Sequence, residues 1–382
     1  MNQNDPVALN RCDTYNPEQI KTILAMQFQS IGITDELIRG KNIVLKPNLL
    51  LGYAPEKAAT THPSVLEGAI SLLRELKAAS ILIAESPGGP YYQSVLNNIY
   101  QICGMTAVSE KTGVPLNKDL TATEIKNPDG IACKAFHLLT PLCHADLIIN
   151  LCKLKTHALA GMTAAAKNLF GAIPGIEKFE MHARFPDPSL FFQMLTDLNL
   201  TIDRLCPVIH ICDAIVGMEG NGPSGGTPRH IGCLLTSRNP FCLDLAAANI
   251  ILPGRDIPLL RVAQERSLCP ESLQELSVTG DPIAAFTISD FKPADTAMKS
   301  KFDKIPNFMR PRPEVNSQKC AGCGTCVRSC PAHAMQLINR KATIRRAKCI
   351  RCFCCQELCT FKAIRIHRNI LLRAVQHTKN SN

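Results

Sequence analysis

The chain has 382 residues, 46% of them hydrophobic, and a formal net charge of +10. That length exceeds one typical core and predicts more than one domain, and no apolar run approaches the roughly 20 residues of a membrane span, so no transmembrane segment is expected. Of its 19 cysteines, the ten scattered through residues 1–300, with no secretory h-region near Met1, suit free thiols in a reducing cytoplasm rather than a disulfide framework.

Apolar β-branched runs alternate with helical patterns along residues 1–291, the order of an α/β domain with a largely parallel sheet. Residues 7–11 are a predicted strand and 17–29 a predicted helix. A strand over 42–46 leads into Lys46, Pro47 and Asn48, and Thr61 is expected to cap a helix over 63–78 with Pro63 in its first turn. A strand over 80–84 is followed by Glu85, Ser86, Pro87, Gly88 and Gly89, then a helix over 91–103. The strand over 146–151 leads into Lys153, Lys155, Thr156 and His157. A helix over 188–205 precedes the strand over 208–212, which ends at Asp213 and the run Gly217-Met218-Glu219-Gly220-Asn221-Gly222-Pro223. A strand over 231–236 and a helix over 241–251 complete the pattern.

In an open α/β sheet, ligands sit beyond the carboxyl ends of the strands. The loops named above are therefore expected to converge on a pocket for an anionic ligand, with Lys46, Asn48, Asp213 and Glu219 as its binding residues. Within the segment 153–171, Gly161 and Thr163 are predicted to start a helix through Ala164–Ala166, bringing backbone N–H groups to a bound anion. Lys155, His157 and Lys167 are the candidate catalytic residues. The plainer reading of the same segment is tight helix packing beside solvated lysines, and His182 by itself reads as an ordinary histidine. There is no Rossmann fingerprint or Walker A run, so nicotinamide and ATP have no support.

Residues 292–313, with Pro293, Pro306, Pro311 and Pro313, read as a semi-rigid linker. Beyond it, Cys320, Cys323, Cys326 and Cys330 recur as Cys349, Cys352, Cys355 and Cys359, each shifted by 29 positions. Each run is C-x2-C-x2-C-x3-C, the spacing that holds two 4Fe–4S clusters in bacterial ferredoxins, where the fourth cysteine of one run ligates the other cluster. Crossed ligation assigns Cys320, Cys323, Cys326 and Cys359 to one cluster and Cys349, Cys352, Cys355 and Cys330 to the second. A zinc ribbon uses two separated knuckles, a different spacing. Cys354, beside Cys355, reads as a small packed thiol. This predicts a small α+β ferredoxin domain over 314–368 and a basic tail over 369–382, with residues 364–379 patterned as a basic, solvated amphipathic helix.

The charge is uneven: residues 301–382 hold 17 Lys or Arg against three Asp or Glu. Cations beside anionic clusters raise their reduction potential, so the surplus is assigned to the clusters and to a redox partner protein, and no nucleic acid is expected.

Taken together, the KPN, KLKTH, AAAKNLFG and DAIVGMEGNGP segments resemble domain-of-unknown-function family 362, often fused to a ferredoxin module. The run from His157 through Ala160, Gly161, Thr163, Ala164 and Ala165 to Lys167 is also similar to a segment of nickel-dependent lactate racemases. That resemblance implies His157 and Lys167, with His182 further on, as holders of a nickel-pincer nucleotide. Ala164 and Ala165 stand where that family has glycines. Three functions are thus expected in order: an iron–sulfur oxidoreductase acting on a small anionic substrate, a non-catalytic electron carrier that docks a partner, and a racemase-like isomerase.

Overall fold

The structure, a computed structural model, describes residues 1–175, 177–294 and 312–367. The first part begins with β1 (Val7–Arg11), α1 (Pro17–Ser30), β2 (Asn42–Pro47), α2 (Pro63–Glu75), β3 (Ser80–Ile83), α3 (Gln93–Ile102) and α4 (Met105–Thr112). It continues with β4 (Ala122–Lys126), β5 (Ala135–Leu139), α5 (Thr140–Cys143), β6 (Leu147–His157), β7 (Gly161–Thr163), α6 (Ala165–Asn168) and α7 (Glu177–Arg184). It closes with α8 (Pro188–Leu205), β8 (Val208–Glu219), β9 (Thr227–Ser237), α9 (Pro240–Ile251), α10 (Pro258–Glu265) and β10 (Val278–Gly280).

One large sheet runs β10-β1-β9-β8-β6-β2-β3, with β7 paired to β6. The pairs β2–β3, β2–β6, β6–β8 and β1–β10 are parallel, whereas β9 is antiparallel to both its neighbours. Side chains alternate across the sheet. Along β6, Leu147, Ile149 and Leu151 enter the core shared with α1 to α4, and Ile148, Cys152 and Leu154 enter the core shared with α8 and α9. The helices start where the sequence supplies an acceptor and a proline. Asn16 accepts from the N–H groups of Glu18 and Gln19 ahead of α1, and Asp187 and Asn239 cap α8 and α9 in the same way, each followed by proline.

Several expectations are corrected. The cap of α2 is His62, which accepts from Ser64 N, while Thr61 Oγ1 donates to Leu151 O. The strands β6 and β8 run on through residues expected in loops, so Lys153, Lys155 and His157, like Asp213 and Glu219, lie on strands. Flanking partners explain the extension: β7 folds back on 155–157, and β9 pairs with β8 as far as Glu219. Gly161 and Thr163 belong to β7 rather than to a helix, and α6 is a single turn.

The C-terminal module comprises β11 (Arg312–Val315), α11 (Thr325–Arg328), β12 (Met335–Ile338), β13 (Lys341–Ile344), α12 (Cys354–Glu357) and β14 (Ile364–His367). Strand β11 pairs antiparallel with β14, and β12 with β13. Ile364–His367 is therefore a strand, not the start of a helix, because β11 offers it a ladder partner. The rest of the expected terminal helix, the tail, and linker residues 295–311 lie outside the described residues. Each cysteine run carries one short helix at the same repeat position, so Arg328 of α11 corresponds to Glu357 of α12.

Candidate functional site

At the carboxyl end of β2, Lys46 Nζ lies 2.5 Å from Glu85 Oε2, and both side chains are buried. Burial disfavours both charges, lifting the Glu85 carboxyl to about 7 against the pull of Lys46 and pushing the lysine down. Gly171 lies over this pair: a Cβ there would meet Glu85 Oε1 at 2.3 Å, which gives the glycine that ends AAAKNLFG a steric reason. Lys178 of α7 donates to Ser86 O, Ser86 Oγ and Ile173 O at 2.7–2.8 Å, and burial pushes its ammonium down to about 7.

Lys155 begins a buried polar chain. Its Nζ donates to Asn48 Oδ1 at 2.6 Å and Ala59 O at 2.5 Å. Asn48 donates to Asn168, Asn168 to Asn150, and the Asn150 amide meets His210 Nδ1 at 2.9 Å. Burial, and then the nearby Lys167 charge, push the Lys155 ammonium down to about 7. A neutral amine keeps two N–H bonds, enough for both of its acceptors, and has a lone pair left over.

His157 Nδ1 accepts from the backbone N–H groups of Leu159 and Ala160 at 3.0 and 3.2 Å. That fixes the tautomer: the neutral ring carries its proton on Nε2. Burial, with Lys167 next, holds its pKa below the ordinary value. Nε2 lies 3.2 Å from Oε1 of Glu357, which reaches in from α12 of the cysteine-rich module. Burial alone would raise the Glu357 carboxyl, but His157, then Lys167 and His182, outweigh it and hold it down to about 2. Lys167 lies over the Phe170 ring, and His182 stacks on Phe191 at 4.3 Å.

The structure thus brings Lys46, Asn48, Lys155, His157, Lys167 and His182 to one end of the sheet. It does not bring Asp213 or Glu219 to the same task. The Asp213 carboxylate accepts from Lys153 Nζ, Tyr15 OH and the His62 N–H, which occupy both oxygens. Glu219 faces the chain leaving the sheet and accepts from Lys292 N. The expected anion site at α6 is filled from within, because Asp244 accepts from the N–H groups of Ala165 and Ala166. Sequence reading missed Glu357 altogether. Its signal was present: Glu357 is the only Asp or Glu in residues 315–382.

The module seats on this end of the sheet. Ser224 Oγ donates to Glu357 O at 3.2 Å, and Cys354 and Leu358 pack on Phe179 of α7 and on Leu51. Cys354 is therefore a buried thiol at the contact. Away from it, Cys320, Cys323, Cys326 and Cys359 line one small cavity of about 20 Å³. Backbone N–H groups meet the sulfurs of Cys320 (from Ala342), Cys330 (from Ala334) and Cys359 (from Ala363) at 3.1–3.4 Å. Such donors stabilise thiolates bound to iron, so these residues fit iron–sulfur clusters. The pocket does not fit a nickel-pincer nucleotide. His157 Nε2 holds the ring proton, Asp244 takes the turn's N–H groups, and Glu357 fills the space before His157.

An α/β sheet whose ligand end is covered by a ferredoxin-type, electron-transfer module defines the class of protein. The chain belongs to the family described as Domain of unknown function (DUF362), whose model matches residues 43–249. The model of a 4Fe-4S dicluster domain matches residues 312–360. The chain is 28% identical over 307 residues to thylakoid-associated protein sll1697 of Synechocystis sp., covering 80% of this chain and 92% of that one. Among solved structures, the lactate racemase apoprotein of Thermoanaerobacterium thermosaccharolyticum matches with a TM-score of 0.41 and 12% identity over 66% of this chain and 58% of that one. A protein of Thermotoga maritima matches with a TM-score of 0.34 and 11% identity over 67% and 59%. The chain spans less than two thirds of either solved structure. Among the described residues no helix is long and apolar enough to cross a membrane.

Proposed function

We propose that this protein is an oxidoreductase that delivers single low-potential electrons from two 4Fe–4S clusters to a small anionic substrate in the α/β pocket. The observation that carries the reading is the seating of the second cysteine run on the pocket through Glu357 and His157. When bound, the clusters supply one electron at a time. The protein's own residues do the rest. Lys167 and the Nε2–H of His157 bind the anion. Lys155, whose pKa is pushed down to about 7, takes or gives a proton near neutral pH. His157 orients and does not donate its proton, since its only N–H is that of a neutral ring.

Electrons enter from a redox partner at the outer cluster. There Cys323 is exposed beside Leu337 and Phe361, each at least 43% exposed, on a basic module. An acidic carrier protein suits that surface.

The test is anaerobic reoxidation of the dithionite-reduced chain by a panel of small oxoacids and unsaturated carboxylates, followed in the visible band of the clusters. The native chain is expected to be reoxidised by at least one of them. K155M and K167M are expected to slow that reaction about 100-fold or more at unchanged iron content. Unchanged rates in both variants would remove the pocket from the reaction.

A further inference from the structure

We infer that the pocket is a carboxylate-binding site whose resident ligand is Glu357 of the protein's own module, and that an incoming substrate carboxylate takes its place. The inference rests on the proposed function for the meaning of the pocket and adds to it a substrate class and a gate.

Glu357 is the lone acid in a basic segment, at a repeat position where the first run has the surface residue Arg328. Its carboxylate is the group the pocket gathers around. His157 Nε2 lies 3.2 Å away. The surrounding cations outnumber the carboxylates, since Lys46, Lys155, Lys167 and Lys178 face Glu85 and Glu357, with Glu177 near Lys178. Burying ammonium groups without anions is costly, so a site with this surplus favours an anionic guest.

The resident is also poorly fitted. At 3.2 Å the His157–Glu357 contact lacks hydrogen-bond geometry, and Nε2 remains among the buried polar atoms with no hydrogen-bond partner. Thr163 Oγ1 is another such atom. Thr163 is paired with Lys155 across β6 and β7, which puts the two side chains on one face. A free carboxylate, not tethered to α12, can meet the fixed Nε2–H and this hydroxyl together. Its entry displaces Glu357 and loosens the adjoining seat at Ser224 and Phe179, so substrate binding and docking of the module are coupled.

The experiment is calorimetric titration of the anaerobic full chain, clusters loaded, with acetate and with inorganic phosphate as probes, for the native protein, E357Q and E357A. Removing the internal competitor is expected to tighten acetate binding about tenfold or more in both variants, with phosphate binding little changed. If neither variant gains acetate affinity at native iron content, Glu357 is a fastening only and the inference fails. If phosphate gains as much as acetate, the carboxylate class fails. E357Q keeps the shape of the side chain should E357A unfold. The outcome is independent of the oxidoreductase reading: acetate affinity is measured without turnover, and reoxidation in K155M and K167M is measured with Glu357 in place.

Discussion

Oε1 of Glu357 and Nε2 of His157, 3.2 Å apart, join the cysteine-rich module to the ligand end of the sheet. Because Nδ1 is committed to two backbone donors, His157 faces Glu357 with the proton of a neutral ring. Replacing His157 by alanine takes away the N–H nearest to a buried carboxylate. The expected cost is about 2 kcal/mol of stability, read as a lower urea midpoint for the loaded chain. H157N, which keeps a side-chain N–H, is expected to recover part of it. Equal midpoints for all three proteins would show that the contact holds nothing together.

The Lys46–Glu85 pair, under Gly171, is expected to behave as a buried pair in a double-mutant cycle. K46M leaves the Glu85 carboxyl buried without its partner and is expected to cost about 3 kcal/mol, whereas K46M/E85L, which removes both charges, costs much less. G171A pushes a methyl into the pair and is expected to cost about 2 kcal/mol by overpacking. Chemical denaturation of the native protein, K46M, E85L, K46M/E85L and G171A measures all three effects. Additive single effects of Lys46 and Glu85 would contradict the coupling.

Much of this architecture was legible in the sequence because periodicity reports burial directly. The helices over 17–29 and 188–205 and the strand over 7–11 could be read from apolar spacing. Strand ends were not legible in the same way. Lys153, Lys155 and His157 look like loop residues, and only pairing with β7 and β8 makes it possible to bury them on a strand. The α6 anion site failed for a related reason: the group that fills it, Asp244, lies some 80 positions away, and no local rule connects the two. The cysteine runs were legible because cluster spacing is itself local. Glu357 lies within the second run, but its role depends on where the module docks.

Lys155 sets a pH dependence whose sign can be worked out. Burial pushes its pKa in the folded protein down to about 7 from an ordinary 10.5. The unfolded chain keeps the higher value, so between about 7 and 10.5 it binds more protons than the folded chain, and this group's contribution makes stability rise with pH across that window. Anion binding runs the opposite way, because Lys155 attracts an anion only as ammonium. Acetate affinity of the native chain is accordingly expected to fall as pH rises through about 7, and K155M is expected to flatten that profile. A profile of the same shape in K155M would assign the titration to another group.

Crossed ligation of the clusters has a consequence that iron analysis resolves. Cys320, Cys323, Cys326 and Cys359 line one cavity, although Cys359 is the last residue of the second run. If Cys359 completes the first cluster and Cys330 the second, the variant C320S/C359S removes two ligands from one cluster and leaves the other whole. C320S/C330S then removes one ligand from each. Anaerobically reconstituted C320S/C359S is expected to retain about four irons with one reduced-cluster EPR signal, and C320S/C330S to lose iron from both sites. Ligation within each run predicts the reverse order, because Cys320 and Cys330 would then share a cluster and Cys359 would belong to the other. The two double variants carry the same number of serines, so a general loss of stability cannot imitate either pattern.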